Sequence, residues 1–173
     1  MGLDITAVSG LQKIDCGFTS DEEPMDMATG QEITDCVRLY RNTSFPCQFD
    51  DLEDGVVYRY AQRKRCYKAS YRGYNRWREA LAKLAEYPHG EYEEFTGHQI
   101  GAFGVEAGPF HELICFSDCE GTIGPKTSAK LYQDFCDFQD KANLSEDVAW
   151  IKNYYALKEA FQIASDNGAV IFS

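Results

Sequence analysis

The chain lacks any apolar run approaching the roughly 18 to 20 residues that a helix needs to cross a bilayer, so no membrane span or membrane partner is expected. No charged head followed by an apolar block opens it as a secretion signal would, and the expected location is cytoplasmic. Histidines are scarce, with only His89, His98 and His111, and no G-x-S-x-G elbow occurs, so classical nucleophilic catalysis has little to draw on. Bases are outnumbered: 17 Lys and Arg stand against 28 Asp and Glu, for a net charge of -11. So acidic an exterior repels nucleic acid at long range, and an extended nucleic-acid partner is not expected. There is no internal repeat.

What is present is enough for one folded domain with a real core, since 173 residues carry 44% hydrophobic and 14% aromatic side chains. The seven cysteines are odd in number and widely spread, which argues for reduced thiols, most of them small core residues. The opening MGLDIT fits the short pattern for N-myristoylation at Gly2, one that chance also produces often. Charge is unevenly distributed. Residues 1–57 carry 12 acids and 3 bases, residues 58–83 carry 1 acid and 9 bases, and residues 84–173 carry 15 acids and 5 bases.

Alternation at Leu3, Ile5 and Ala7, resuming at Leu11 and Ile14, predicts an opening strand or a hairpin turning at Ser9-Gly10. Val56–Tyr60 and Cys66–Tyr71 have strand composition, and AQRKR between them suits a hairpin connection. Tyr74, Trp77, Leu81 and Leu84 recur at helical spacing, and Tyr87-Pro88-His89-Gly90 stops that helix. Residues 88–110 read as a glycine-rich surface connection, and Leu113–Phe116 as a short buried strand. Two further helices follow. One carries Leu131, Phe135, Phe138 and Ala142 on a stripe; the other is capped by Ser145 and carries Trp150, Tyr154, Leu157, Phe161 and Ala164. Asn167-Gly168 ends the second, and Ala169–Phe172 closes the chain as a strand. The expected fold is α+β: a single domain with a mostly antiparallel sheet and about three helices packed on one face, and with an acidic loop-rich insertion over 18–54.

Two stretches carry candidate chemistry. In FSDCEGTIGPKT the glycines Gly121 and Gly124 are three apart and Pro125 precedes Lys126, so the spacing and the missing N–H exclude a phosphate loop. Asp118 and Glu120, two apart, would project together from a strand as oxygen ligands for magnesium or manganese. His111, Cys115 and Cys119 share a face of an extended chain, although a spacing of four is not that of a zinc knuckle. The plainer reading is a strand-to-helix turn, with Pro125 in the first helical turn and Thr122 or Gly124 near the cap. Such a turn exposes backbone N–H groups, so Gly121 and Thr122 could help to bind an anion.

The second stretch, YRYAQRKRCYKASYRGYNRWRE, interleaves bases with aromatics, the mixture that stacks rings and pairs phosphates. Tyr71, Tyr74, Arg76, Trp77 and Arg78 are the candidates for a small nucleotide-like ligand. The alternative is charge compensation, with the arginines paired to flanking acids and half the aromatics in the core.

The opening MGLDIT, the central SYRGYNRWREAL, and LICFSDCEGTIGP with the closing FQIASDNGAVIFS together resemble a group of small uncharacterised bacteriophage and prophage proteins. The resemblance implies a context, a phage-derived accessory protein in an infected bacterial cell, and no cofactor or catalytic residue. Composition and resemblance lead to a non-enzymatic protein that binds a nucleotide-like anionic ligand or a host protein and so blunts a host defence. One alternative is a small hydrolase of a phosphorylated compound, using magnesium or manganese on Asp118 and Glu120. Another is a virion or assembly component. The oligomeric state stays open, a homo-oligomer included.

Overall fold

The computed structural model describes residues 2–116 and 120–173. The elements in chain order are β1 (Leu3–Ser9), β2 (Gln12–Lys13), β3 (Gly17–Phe18), β4 (Pro24–Met25), β5 (Cys36–Arg38), a 3-10 turn (Pro46–Phe49), β6 (Val57–Arg59), β7 (Gln62–Ala69) and α1 (Tyr71–Leu84). They continue as β8 (Gly90–Tyr92), β9 (Phe95–Gly97), α2 (His98–Phe103), α3 (His111–Cys115), β10 (Gly121–Ile123), α4 (Pro125–Asp137), α5 (Gln139–Ala142), α6 (Val148–Ala164) and β11 (Ala169–Phe172).

The main sheet has the order β10-β11-β1-β7 and is antiparallel at every pairing. Its alternation separates two apolar clusters, because successive residues of a strand face opposite ways. Ala7 and Val170 face the main core, while their neighbours Val8 and Ala169 face a second cluster with Leu11, Leu39, Phe49 and Tyr58. The second cluster lies beneath a small sheet of order β2-β6-β5. The 18–54 region therefore does more than loop outward: Leu39 and Phe49 are fully buried and cover the second face of the main sheet.

Helices cover the first face. The α6 stripe of Trp150, Tyr154, Leu157, Phe161 and Ala164 is buried as its spacing predicts, and α6 packs on β1, β7, β11 and α4. Its cap is Asp147, which accepts from the Trp150 N–H at 2.9 Å, two residues later than the expected Ser145. The chain leaves the helix through Asn167 at φ 45° and enters β11.

The α+β reading with an antiparallel sheet is observed, with six α-helices among the described residues instead of about three. Four local readings are corrected. No hairpin forms at Ser9-Gly10, since β2 pairs with β6 and not with β1. Most of AQRKR is not a connection: Gln62–Arg65 open β7, the edge strand of the main sheet, whereas β6 belongs to the small sheet. Leu113–Cys115 are helical, in α3. Residues 88–110 fold into the β8–β9 hairpin and α2. Their glycines serve close approach: a Cβ on Gly101 would stand 1.8 Å from the Pro88 carbonyl oxygen, so the backbones touch.

Candidate functional site

The basic and aromatic segment divides on burial. Tyr74 and Trp77 are core residues, 0% and 3% exposed, with rings stacked at 6.3 Å between centroids. Arg78 is 3% exposed, and its guanidinium donates to the Ile114 carbonyl and to Asn75 Oδ1 while lying 5.2 Å from the centre of the Tyr74 ring. These three do not form the solvent-facing platform that the sequence suggested; they tie α1 to α3 and to the sheet. Tyr71 is half-buried against the same core, and Arg76 alone of the five candidates stands exposed. Much of the remaining charge is compensated. Arg59 pairs with Asp35 at 3.0 Å, Lys64 with Glu159 at 2.5 Å, and Arg65 and Lys68 with Asp4. Bases along an edge strand also discourage another strand from adding to it.

The turn into α4 is built as expected in part. Gly124 is the N-cap and Pro125 lies in the first turn. Thr122, however, is 1% exposed within β10 and is not the cap of α4. The carboxylate at this helix start comes from far away in sequence: Asp50 accepts from the Thr127 N–H and from Thr127 Oγ1, both at 2.9 Å. With Asp50 in place, the α4 N-terminus is not the open anion site that Gly121 and Thr122 were expected to wall. Asp118 lies outside the described residues. Glu120 is exposed beside a cleft of about 340 Å³ with Tyr40, Arg41, Asn42, Thr43 and Gly121, so the base that shares its cleft is Arg41 and not one from residues 58–78. Among the described residues no group of three or more His, Cys, Asp or Glu side chains is arranged to hold a metal ion.

His111 and Cys115 sit one helical turn apart, with Nε2 and Sγ at 3.5 Å. This is not a base and nucleophile pair. His111 Nε2 also lies 3.2 Å from the Ala102 carbonyl and 3.0 Å from that of Val105, and carbonyls only accept, so these contacts suit the tautomer that donates from Nε2 rather than one that takes a proton from the thiol. Burial pushes the Cys115 thiol up to about 11, which keeps it protonated and unreactive at neutral pH. The six described cysteines are free thiols as expected, but only Cys115 is fully buried and Cys47 is exposed.

A groove that the sequence did not indicate runs between α1 and the start of α6. Two adjoining hollows of about 430 and 190 Å³ share Ala80, Asp147 and Trp150. The α1 wall is Gly73, Arg76, Trp77, Ala80, Lys83 and Leu84, one stripe of the helix, and the opposite wall includes Leu144, Asp147, Ala149 and Asn153. The floor is aromatic: Trp77 and Trp150 stack at 6.2 Å, and Trp150 Nε1 donates to the Trp77 carbonyl. Arg76, Lys83 and Lys141 are exposed at the rim, Lys141 paired with Glu86 at 2.7 Å. Of the predicted residues, the groove takes in Arg76 and Trp77. Lys83, Lys141, Leu144 and Trp150 were missed because the walls are distant in sequence; the one local signal was apolar Leu144 in a polar turn, 82% exposed.

No family model, curated protein or solved structure matches the chain. No helix among the described residues is long and apolar enough to cross a membrane.

Proposed function

We propose that this chain is a binding protein, not an enzyme, and that its α1–α6 groove takes a small anionic ligand with a flat apolar face, of the nucleotide class. One observation carries the reading: an apolar lining of Ala80, Leu84, Leu144 and Trp150 lies against the exposed cations Arg76, Lys83 and Lys141. The larger hollow falls within the range of small-ligand sites. A base or similar ring would lie along the Trp150 and Leu84 side, and its phosphate would meet Arg76 and Lys83, which carry flexible cationic heads on apolar stems. Asp147 sets the polarity of the groove, since its carboxylate at the head of α6 opposes an anion there and directs the charge toward α1. Within the phage context that the sequence resembles, a protein of this kind would sequester a nucleotide signal on which a host defence depends.

Both tryptophans of the chain line the smaller hollow, so intrinsic fluorescence reads the site directly. Titration with nucleoside mono-, di- and triphosphates and with cyclic nucleotides is expected to change that fluorescence for one class. Arg76→Ala should weaken binding about tenfold, near 1.4 kcal/mol, with unchanged melting, and Ala80→Trp should fill the groove and abolish it. If none of the nucleotides binds, or if binding is indifferent to both substitutions, the reading fails.

A further inference from the structure

A second surface, away from the groove, has the opposite chemistry. Tyr92, Phe95 and Phe103 are 66%, 56% and 49% exposed, and with Ile100 and Gly104 they line a cleft of about 550 Å³ on the β8–β9 hairpin and α2. Large aromatics left in water at a hairpin tip contribute little to a core, and grouped in this way they mark an interaction surface. The surface is also firmly held. Glu79 of α1 accepts from the His98 and Gln99 N–H groups at 2.9 Å each, Gly101 lies on the Pro88 backbone, and β8 pairs with β9 from Gly90–Gly97 to Tyr92–Phe95.

Charge decides what fits it. Glu91 lines the cleft, Glu93 and Glu94 form the turn between Tyr92 and Phe95, and Glu106 follows α2 three residues after Phe103; all four are exposed and none is ion-paired among the described residues. Residues 84–125 contain no lysine or arginine at all, so nothing within this stretch neutralises the rim. Glu93 even holds φ 53° in the hairpin turn, where glycine or asparagine is the ordinary choice. A second copy of the same face would bring acidic rims together, and an anionic bilayer would be repelled. We infer that the hairpin and α2 form a docking face for a basic protein segment. Its apolar anchor sits among Tyr92, Phe95, Ile100 and Phe103, and its lysines or arginines meet the four glutamates.

The test is selection of a random peptide library on the full chain, with counter-selection on the Phe95→Ser/Phe103→Ser variant. Peptides that place an aromatic or aliphatic residue between lysines or arginines are expected to dominate. Synthetic versions should lose at least tenfold in affinity on that variant, and should lose most of their salt dependence on Glu93→Gln/Glu94→Gln/Glu106→Gln. Unchanged melting of both variants confirms that they fold. Enrichment of neutral or acidic peptides, enrichment of nothing, or affinities indifferent to both variants would overturn the inference. So would a dimer in sedimentation that the serine variant dissolves, which would make the face a contact between copies, or binding to lipid vesicles that the same variant abolishes.

Discussion

Residues 67–78 and 90–105 both interleave aromatics with charge, and they have opposite fates. In the first, Tyr67, Tyr74 and Trp77 are 6% exposed or less; in the second, Tyr92, Phe95 and Phe103 stand about half or more in water. The difference lies in what the backbone period offers. Tyr74 and Trp77 recur with Leu81 at helical spacing, so one face of α1 is apolar throughout and another element can cover it. Tyr92 and Phe95 flank a two-residue turn, where the strands end and no other described element covers them. Charge follows the same division. Lys64 and Arg65, just before the buried aromatics, pair with Glu159 and Asp4, and Lys68 lies 4.0 Å from Asp4, whereas Glu91, Glu93 and Glu94 have no ion pair among the described residues. Aromatic content alone marks neither a core nor a site; the period and the neighbouring charge separate them.

The largest expected effect tests that contrast directly. Tyr74→Ala or Trp77→Ala should cost about 3–5 kcal/mol, the range for emptying a buried aromatic site, read as a shift in the urea midpoint. Phe95→Ala should stay within about 0.5 kcal/mol. A loss for Phe95→Ala near that for Tyr74→Ala would mean the hairpin tip is packed, and the contrast would break.

The next test stays inside α1. Arg78 and Arg76 are two residues apart, one buried in hydrogen bonds to Ile114 and Asn75 and the other exposed at the groove. Arg78→Ala should cost about 2–4 kcal/mol because it strands buried acceptors and leaves a void, while Arg76→Ala should leave the urea midpoint unmoved. Equal midpoints for the two variants would contradict the assigned burial.

Much of this fold was legible in advance, for a physical reason. The α1, α4 and α6 stripes and the alternation of β1 repeat over enough residues for the period to be read, and Ala169–Phe172 was bounded by a clear stop at Asn167-Gly168. The failures are short or set by distant contacts. Leu113–Cys115 is too brief for a period, and α3 is fixed from outside: Phe110 adopts φ 55°, and Asp134 of α4 accepts its N–H at 2.7 Å. In 88–110 the glycines that resembled loop punctuation serve backbone contact. Tyr74 and Trp77 belong to a helix stripe as their spacing predicts; Tyr74 is wholly enclosed in the core, while Trp77 keeps one edge on the groove. The groove could not be read at all, because its walls meet only after α6 folds back on α1.

Alkaline pH should weaken the buried side selectively. Burial raises the Tyr67 phenol to about 12 and the Cys115 thiol to about 11, from ordinary values of 10.0 and 9.0, and raises Tyr87 and Tyr154 as well. A group held in its neutral form by folding contributes stability that is complete below its unfolded pKa and is lost as pH rises toward the folded value. Stability should therefore fall from about pH 9, with Cys115 alone responsible for roughly 2 kcal/mol by pH 11. Cys115→Ala, compared with wild type in urea melts across that window, should flatten the first part of the decline; an unchanged slope would show that the thiol does not titrate with unfolding.

The smallest effect concerns the link between the two regions. Glu79 belongs to α1, yet its carboxylate caps α2 through His98 and Gln99, and Gly97 at φ 147° brings the backbone so close that a Cβ would stand 2.6 Å from Glu79 Oε2. Removing it should cost about 1 kcal/mol, as loss of a helix cap does, and the cost should be local. In Glu79→Ala, amide exchange over residues 90–103 should quicken, while Tyr74–Leu84 keeps its protection, because the buried stripe of α1 does not depend on that carboxylate. If exchange quickens equally in both stretches, the aromatic face and the core open as one unit, and the separation between them is not energetic.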